Sequence, residues 1–215
     1  MKLTRQLIII GAGGHGKVAA DCAETLGLYD KIAFLDSRYP TETMIGEWQL
    51  LGLPESASTF KNKTTDFFVA IGNNHTREKV TNALSKENIN VVSLIHPSSI
   101  ISRHTTLSVG VLVCANATIN PMTKIGAGSI INTAASVDHD CQIGDYVHIS
   151  VGVRLAGGVV VGNSSFIGIN SCVIQGVTIG KNCTLGAGAA LINNLSDNTT
   201  AVGTPAKVIN NKNNK

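Results

Sequence analysis

Residues 136–150 read S-V-D-H-D-C-Q-I-G-D-Y-V-H-I-S, which places His139 and His148 with Asp138, Asp140 and Asp145 in one short stretch of an otherwise aliphatic chain. Imidazole changes charge near working pH, and a neighbouring carboxylate holds one tautomer and stabilises the cation. A His-Asp pair therefore suits proton removal from an attacking nucleophile. A second chemical pattern lies near the start. Gly11-x-Gly13-x-x-Gly16 follows the apolar run L-I-I-I and precedes a helical pattern, with Asp36 about twenty residues further on. Glycines there let the backbone approach a phosphate, and the first N–H groups of the helix supply partial positive charge, so a diphosphate fits.

The elements that must position His139 emerge when the chain from residue 101 is written in sixes: ISRHTT LSVGVL VCANAT INPMTK IGAGSI INTAAS VDHDCQ IGDYVH ISVGVR LAGGVV VGNSSF IGINSC VIQGVT IGKNCT LGAGAA LINNLS. All sixteen blocks open with Ile, Leu or Val, and from Thr105 to Ala189 the fifth residue is always Ser, Thr, Ala, Val or Cys. Such a period is the signature of a solenoid. Successive turns stack their aliphatic residues in an interior column, each worth about 1.5–3 kcal/mol when fully buried, and the small fifth residue fits beside it. The repeat builds the fold, so the chemistry belongs to departures from it.

The first hundred residues follow other rules. L-I-I-I-G-A-G-G-H-G leads into K-V-A-A-D-C-A-E-T-L-G-L at helical spacing, then K-I-A-F-L-D, and later D-F-F-V-A-I-G-N-N before a second helical pattern around His75 to Glu87. This alternation of strand and helix predicts a parallel α/β unit. Its length suffices for about half of a full Rossmann unit, which favours a mononucleotide or nucleotide-sugar over a nicotinamide cofactor.

Composition excludes several functions. With 215 residues, 43% hydrophobic, 4% aromatic and 22 glycines, the apolar content is mostly Ile, Val, Leu and Ala, as in layered β structure. The formal charge of +3 includes Lys212 and Lys215 of a polar tail, leaving no basic stripe for nucleic acid. No apolar run approaches the roughly 20 residues needed to cross a bilayer, and the run before Gly11 is too short for a signal peptide. The five cysteines form neither a paired framework nor a C-x-x-C site. A reduced, cytoplasmic chain without a metal is the expectation.

Blocks such as IGAGSI, IGINSC, IGKNCT and LGAGAA resemble the hexapeptide-repeat acyltransferases. Together with G-A-G-G-H-G, F-L-D, A-I-G-N-N, H-D-C-Q-I-G-D-Y-V-H-I-S and the closing V-G-T-P-A-K-V-I, the chain resembles bacterial nucleotide-sugar acetyltransferases. These are related to sialic acid O-acetyltransferase and to the N-acetyltransferases of bacillosamine, viosamine and perosamine. The resemblance implies an α/β N-terminal truncated Rossmann-like domain followed by a left-handed parallel β-helix with 18-residue coils. It also implies a homotrimer with acetyl-CoA bound between neighbouring prisms. The expected organisation is a nucleotide-sugar-binding domain over residues 1–95, an acetyltransferase solenoid over 96–192, and a cap over 193–215 whose N-N-K-N-N-K end frays.

By the same resemblance, Gly13, Gly14, His15, Asp36, Ser37 and Gly72 line the nucleotide-sugar pocket, His139 is the catalytic base, and Asp140 raises its basicity. Relatives often carry Glu where this chain has Asp140 and Ser where it has Gly13; the first change shortens the carboxylate's reach and the second removes a hydroxyl. With coils of 18 residues, His139 falls directly beneath Gly157, whose N–H becomes a candidate donor to the oxygen of a tetrahedral intermediate. His148, half a coil away, is expected to contact the acetyl-CoA thioester in a site completed by a neighbouring subunit. The resemblance also suggests backbone contacts from Ile169 and Thr178 to the pantetheine arm, with Ala187 one coil above Ile169 continuing that groove.

The expected reaction is direct acetyl transfer from acetyl-CoA to the 4-amino group of a nucleotide-linked 4-amino-4,6-dideoxy sugar, with UDP as the default carrier. O-acetylation of a sugar of the sialic acid type, a zinc-dependent hydratase on the same solenoid, and a non-catalytic nucleotide-sugar sensor are the alternatives. The hydratase needs three clustered histidines, and only two cluster here.

Overall fold

A computed structural model describes residues 4–211 and divides the chain into two compact units, Met1–Pro97 and Ser98–Lys215. The first unit is built on β1 (Gln6–Ile10), α1 (Gly14–Leu26), β2 (Lys31–Leu35), β3 (Met44–Ile45), β4 (Trp48–Gly52), β5 (Thr65–Val69) and α2 (Asn74–Lys86). The sheet order is β3-β4-β2-β1-β5, parallel except for the β3-β4 hairpin. That hairpin and a short 3₁₀ helix at Pro54–Phe60 are additions to the strand–helix alternation read from the sequence. Leu7 to Ile10 are all buried, which explains the uninterrupted apolar run: a parallel strand covered on both faces cannot alternate.

β1 pairs with β2 on one side and β5 on the other, so the chain leaving β1 and the chain leaving β5 diverge at this point of the sheet. Such a switch point opens a crevice beyond the carboxyl ends of the strands. Gly11, with φ +98°, and Gly16 shape it. An added Cβ on Gly16 would lie 2.1 Å from the Gly11 carbonyl oxygen, a backbone atom that cannot swing aside. Gly16→Ala should therefore destabilise this unit by about 1–3 kcal/mol, read as a lowered midpoint in urea at unchanged slope.

In the second unit the period of six becomes three parallel sheets. Two-residue strands at 100–101, 118–119, 136–137, 154–155, 172–173 and 190–191 form one sheet; those at 106–107 through 178–179 form the second; those at 112–113 through 184–185 belong to the third. Pairing runs consistently from residue i to i+18, as in Thr118 with Ser136 and Ser136 with Arg154. The architecture is a left-handed parallel β-helix. From Val113 to Leu191 every block-opening aliphatic is at most 3% exposed, whereas Ile101 and Leu107 at the start of the stack are half-buried. Small residues at the fifth position are buried too, and their hydroxyls are satisfied locally: Thr123 donates to the Asp138 carbonyl at 2.7 Å and Ser129 to that of Gly144 at 2.8 Å. Cys141 and Cys183 occupy the same position as small core residues.

From Gly110 to Gly188 the fourth residue of every block turns its corner in the left-handed conformation. Asn116, Asp140, Asn170 and Asn182, at φ of 54–59°, share that role with Gly110, Gly158 and Gly176. Asn and Asp tolerate it better than most side chains. After the last coil the chain forms the strands of the expected cap. Thr199–Val202 joins Thr184–Leu185 in parallel and then pairs antiparallel with Lys207–Asn211, so Asn210 and Asn211 continue a strand. The last four residues lie outside the described part.

Candidate active site

His139 sits on the corner between the first and second sheets, in the third position of its block, immediately before the left-handed Asp140. The left-handed φ of 59° swings the short Asp140 side chain back, and its Oδ2 lies 2.8 Å from His139 Nδ1. The shorter carboxylate thus reaches the ring. With Nδ1–H donating to Asp140, Nε2 carries the lone pair. Asp138 is anchored in turn: its Oδ1 accepts the His139 N–H at 2.8 Å and the Asn120 side chain, one coil below, at 2.6 Å. These two bonds hold the Asp138 carboxyl below its usual range. The His139 pKa is raised, first by the hydrogen bond to Asp140 and next by the charge of Asp138.

Asp140→Asn removes the carboxylate but keeps a residue suited to the left-handed corner. The imidazole should then ionise at lower pH, moving the acid limb of the kcat/KM profile to lower pH while turnover at the plateau falls, since a weaker base is left. Initial rates across a pH series check this.

Gly157 lies directly against the His139 ring. A Cβ built on it would fall 2.5 Å from Cε1 and 2.6 Å from Nε2, and the adjacent Gly158 N–H donates to the His139 carbonyl at 2.9 Å. The stacking expected from the 18-residue coil is therefore present. Gly157 occupies the third position of its block, where the sheet ladder leaves the N–H unused. In several coils a side chain takes that group, as Asp145 does for Ala127 and Asp197 for Lys181. Among the described residues the N–H groups of Gly157, Ile169 and Ala187 have no such partner. Thr178 differs: its N–H donates to Asn194 Oδ1 at 2.8 Å and its carbonyl accepts from Leu195.

His148 is on the third sheet, away from the His139 corner, as half a coil requires. It is 8% exposed, meets Phe166 edge-on at 5.2 Å, and its Nε2 is 3.1 Å from the Asn132 amide nitrogen. Asn132 Oδ1 accepts from Thr133 N–H, which orients the amide to donate to the ring. Asn132 carried no sequence signal. Its block, INTAAS, looks like ordinary repeat.

In the first unit, Gly13 caps α1 without a side-chain bond and Gly14 begins the helix; both are exposed and open on the Cβ side, so a Ser at 13 would fit. Asp36 Oδ2 accepts the Ala12 N–H at 2.7 Å, and Oδ1 accepts from Arg38 N–H at 3.1 Å and Nε–H at 3.0 Å. Burial pushes the Asp36 carboxyl up, but these donors outweigh it and leave the pKa lowered. Arg38 also donates to the Ala12 carbonyl, so Asp36 and Arg38 tie the turn after β2 to the glycine loop after β1. Ser37 is exposed between them. His15, in the first turn of α1, has its pKa lowered to about 4, chiefly by burial and further by the charge of Arg77. Arg77 donates to the carbonyls of Ile71 at 2.8 Å and Gly72 at 3.2 Å, beside the expected site residue Gly72. Sequence reading passed over both arginines, because nothing local marks a side chain that bonds to another loop. Among the described residues, no group of three His, Cys, Asp or Glu side chains is placed to hold a metal, and no helix is long and apolar enough to cross a membrane.

Comparison with known proteins places these features in a family. The profile described as the PglD N-terminal domain matches residues 6–84, and that of the bacterial transferase hexapeptide, six repeats, matches residues 158–193. The acetyltransferase domain of PglB from Neisseria gonorrhoeae, solved with acetyl coenzyme A, is 37% identical over 96% of this chain and 100% of its own, with a TM-score of 0.93. This chain belongs to the hexapeptide-repeat nucleotide-sugar acetyltransferases. Perosamine N-acetyltransferase from Caulobacter crescentus resembles it as well. A histidine-to-asparagine variant of that enzyme, solved with CoA and GDP-perosamine, is 36% identical over 95% of this chain and 97% of its own, with a TM-score of 0.90. UDP-N-acetylbacillosamine N-acetyltransferase from Bacillus subtilis is 35% identical over 113 residues, which is 52% of this chain and 52% of that protein, so the chain matches about half the length of this curated relative. The two solved relatives thus match this chain across both units of the fold.

Proposed function

We propose that this chain transfers acetyl from acetyl-CoA to the 4-amino group of a nucleotide-linked 4-amino-4,6-dideoxy sugar, with His139 as general base. The observation that carries the proposal is the His139–Asp140 pair stacked under Gly157, which offers a base and an adjacent backbone donor. As the amine nitrogen attacks the thioester carbon, Nε2 of His139 takes its proton, Asp140 stabilises the imidazolium, and the Gly157 N–H donates to the developing oxyanion. Collapse of the intermediate breaks the C–S bond, and the CoA thiolate recovers the proton from the imidazolium. No acyl-enzyme forms. His148, held by Asn132, is assigned to the thioester in a site completed by a neighbouring subunit, and Ile169 and Ala187 to the pantetheine arm through their unused N–H groups. Because Thr178 spends its N–H on Asn194, any contribution it makes is through its exposed side chain.

The nucleotide is assigned to the crevice between the loops after β1 and β5, bordered by Gly13, Gly14, His15, Asp36, Ser37 and Gly72. UDP remains the default carrier, consistent with the named substrate of the Bacillus relative, while the Caulobacter relative was solved with a GDP-sugar. A cytoplasmic homotrimer completes the proposal. Thiol release should be followed with acetyl-CoA and a panel of UDP-, dTDP- and GDP-linked 4-amino sugars, alongside 4-hydroxy counterparts. Turnover on at least one amine and none on its hydroxyl counterpart is expected; the reverse preference would make the protein an O-acetyltransferase.

A further inference from the structure

Arg77 is only 1% exposed, among the most deeply buried large side chains of the chain, yet it lies in the first turn of α2 beside the A-I-G-N-N loop. A buried guanidinium is costly unless its donors are met, so its bonds show what it is for. Nη1 donates to the carbonyls of Ile71 and Gly72, and Nη2 donates to Asn74 Oδ1 at 2.8 Å, with Asn74 itself 7% exposed. The planar fork thus spans the loop that leaves β5 and the start of the helix after it. That loop is one wall of the switch-point crevice, since Ala70 N–H donates to the Ile10 carbonyl and a Cβ on Gly11 would meet Ala70 O at 3.0 Å. The opposite wall carries His15, near enough for the Arg77 charge to be felt there.

We propose that Arg77 is a positioning residue for nucleotide-sugar binding: its guanidinium braces the Ile71–Gly72 carbonyls so that the β5 loop keeps the shape that faces the glycine loop and His15. Burial chiefly keeps the His15 imidazole neutral, and the Arg77 charge adds to that effect. The proposal rests on the nucleotide-sugar reading of this crevice. Lysine keeps the charge but lacks a planar fork able to span three acceptors.

The test compares the unsubstituted protein with Arg77→Met and Arg77→Lys. Calorimetric titration with UDP, GDP and dTDP first shows which nucleotide the unsubstituted chain binds; binding of none overturns both the nucleotide-sugar reading and this one. With the nucleotide that binds, Arg77→Met should weaken the Kd by about 10- to 100-fold, the scale of leaving buried acceptors without their charged donor, and Arg77→Lys should fall between. KM for the nucleotide-sugar should rise alongside Kd, KM for acetyl-CoA should stay within about twofold, and kcat should change much less than KM. The His15 ring resonances should titrate at higher pH in Arg77→Met. Unchanged nucleotide affinity in a folded variant, or a parallel rise in both KM values, would overturn the role of Arg77 and leave the proposed activity standing. Should Arg77→Met fail to fold, Arg77→Lys carries the same readouts.

Discussion

Replacing His139 with Ala should lower kcat by about 10² to 10⁴-fold, the range a positioned general base contributes. His139 is exposed and contributes no core packing, so the thermal midpoint of the variant should match that of the unsubstituted protein. The loss should be steepest where the base is deprotonated. Since Asp140 and Asp138 raise the imidazole pKa, the unsubstituted enzyme should gain activity as pH rises through that raised value, and the variant should lose this limb altogether. Rates measured from acid to mildly alkaline pH on purified protein decide the matter. An undiminished rate in the variant removes His139 from the chemistry.

Gly157→Ala should be nearly as damaging to turnover while leaving the fold intact. The added methyl would overlap Cε1 and Nε2 of His139, atoms at the far end of an exposed side chain that can rotate away. The solenoid therefore accommodates the methyl at little cost in stability. Rotation, however, carries the imidazole out of its bond with Asp140 and away from the Gly157 N–H. Misplacement of about 1 Å is worth about 100-fold in rate, so a fall of that order in kcat is expected with an unchanged midpoint in urea. A variant with full activity would show that the imidazole works from some other position, and one that unfolds early would show that the glycine serves packing. Gly157→Ala also separates two roles that His139→Ala cannot, because the base is still present.

Much of the solenoid was legible because its rule is local. A six-residue period tells each Ile, Leu or Val which way to point without knowledge of any distant residue, and the burial of that position through the stack follows from it. The stacking of Gly157 on His139 was legible for a related reason: once the coil length is 18, register follows by counting. The αβ unit was legible as a strand–glycine loop–helix, since an apolar run, the glycines and helical spacing are adjacent in sequence. The β3–β4 hairpin escaped because β3 has only two residues and, unlike the solenoid strands, belongs to no repeat that would mark it.

What the amino-acid sequence determined by itself is the repeat, the pair of units and the one cluster of titratable groups, because each is written in neighbouring residues. Only the tertiary structure decided how the groups are held. It aimed the short Asp140 at Nδ1 through a left-handed corner, anchored Asp138 to Asn120 a coil away, fixed His148 with Asn132, and tied Asp36 to Arg38 and the Gly72 loop to Arg77. Hydrogen bonds of this kind depend on directions and distances of a few ångströms between side chains and loops whose spacing in the chain follows no pattern. No local rule encodes them, and they appear only once the backbone has brought the partners together.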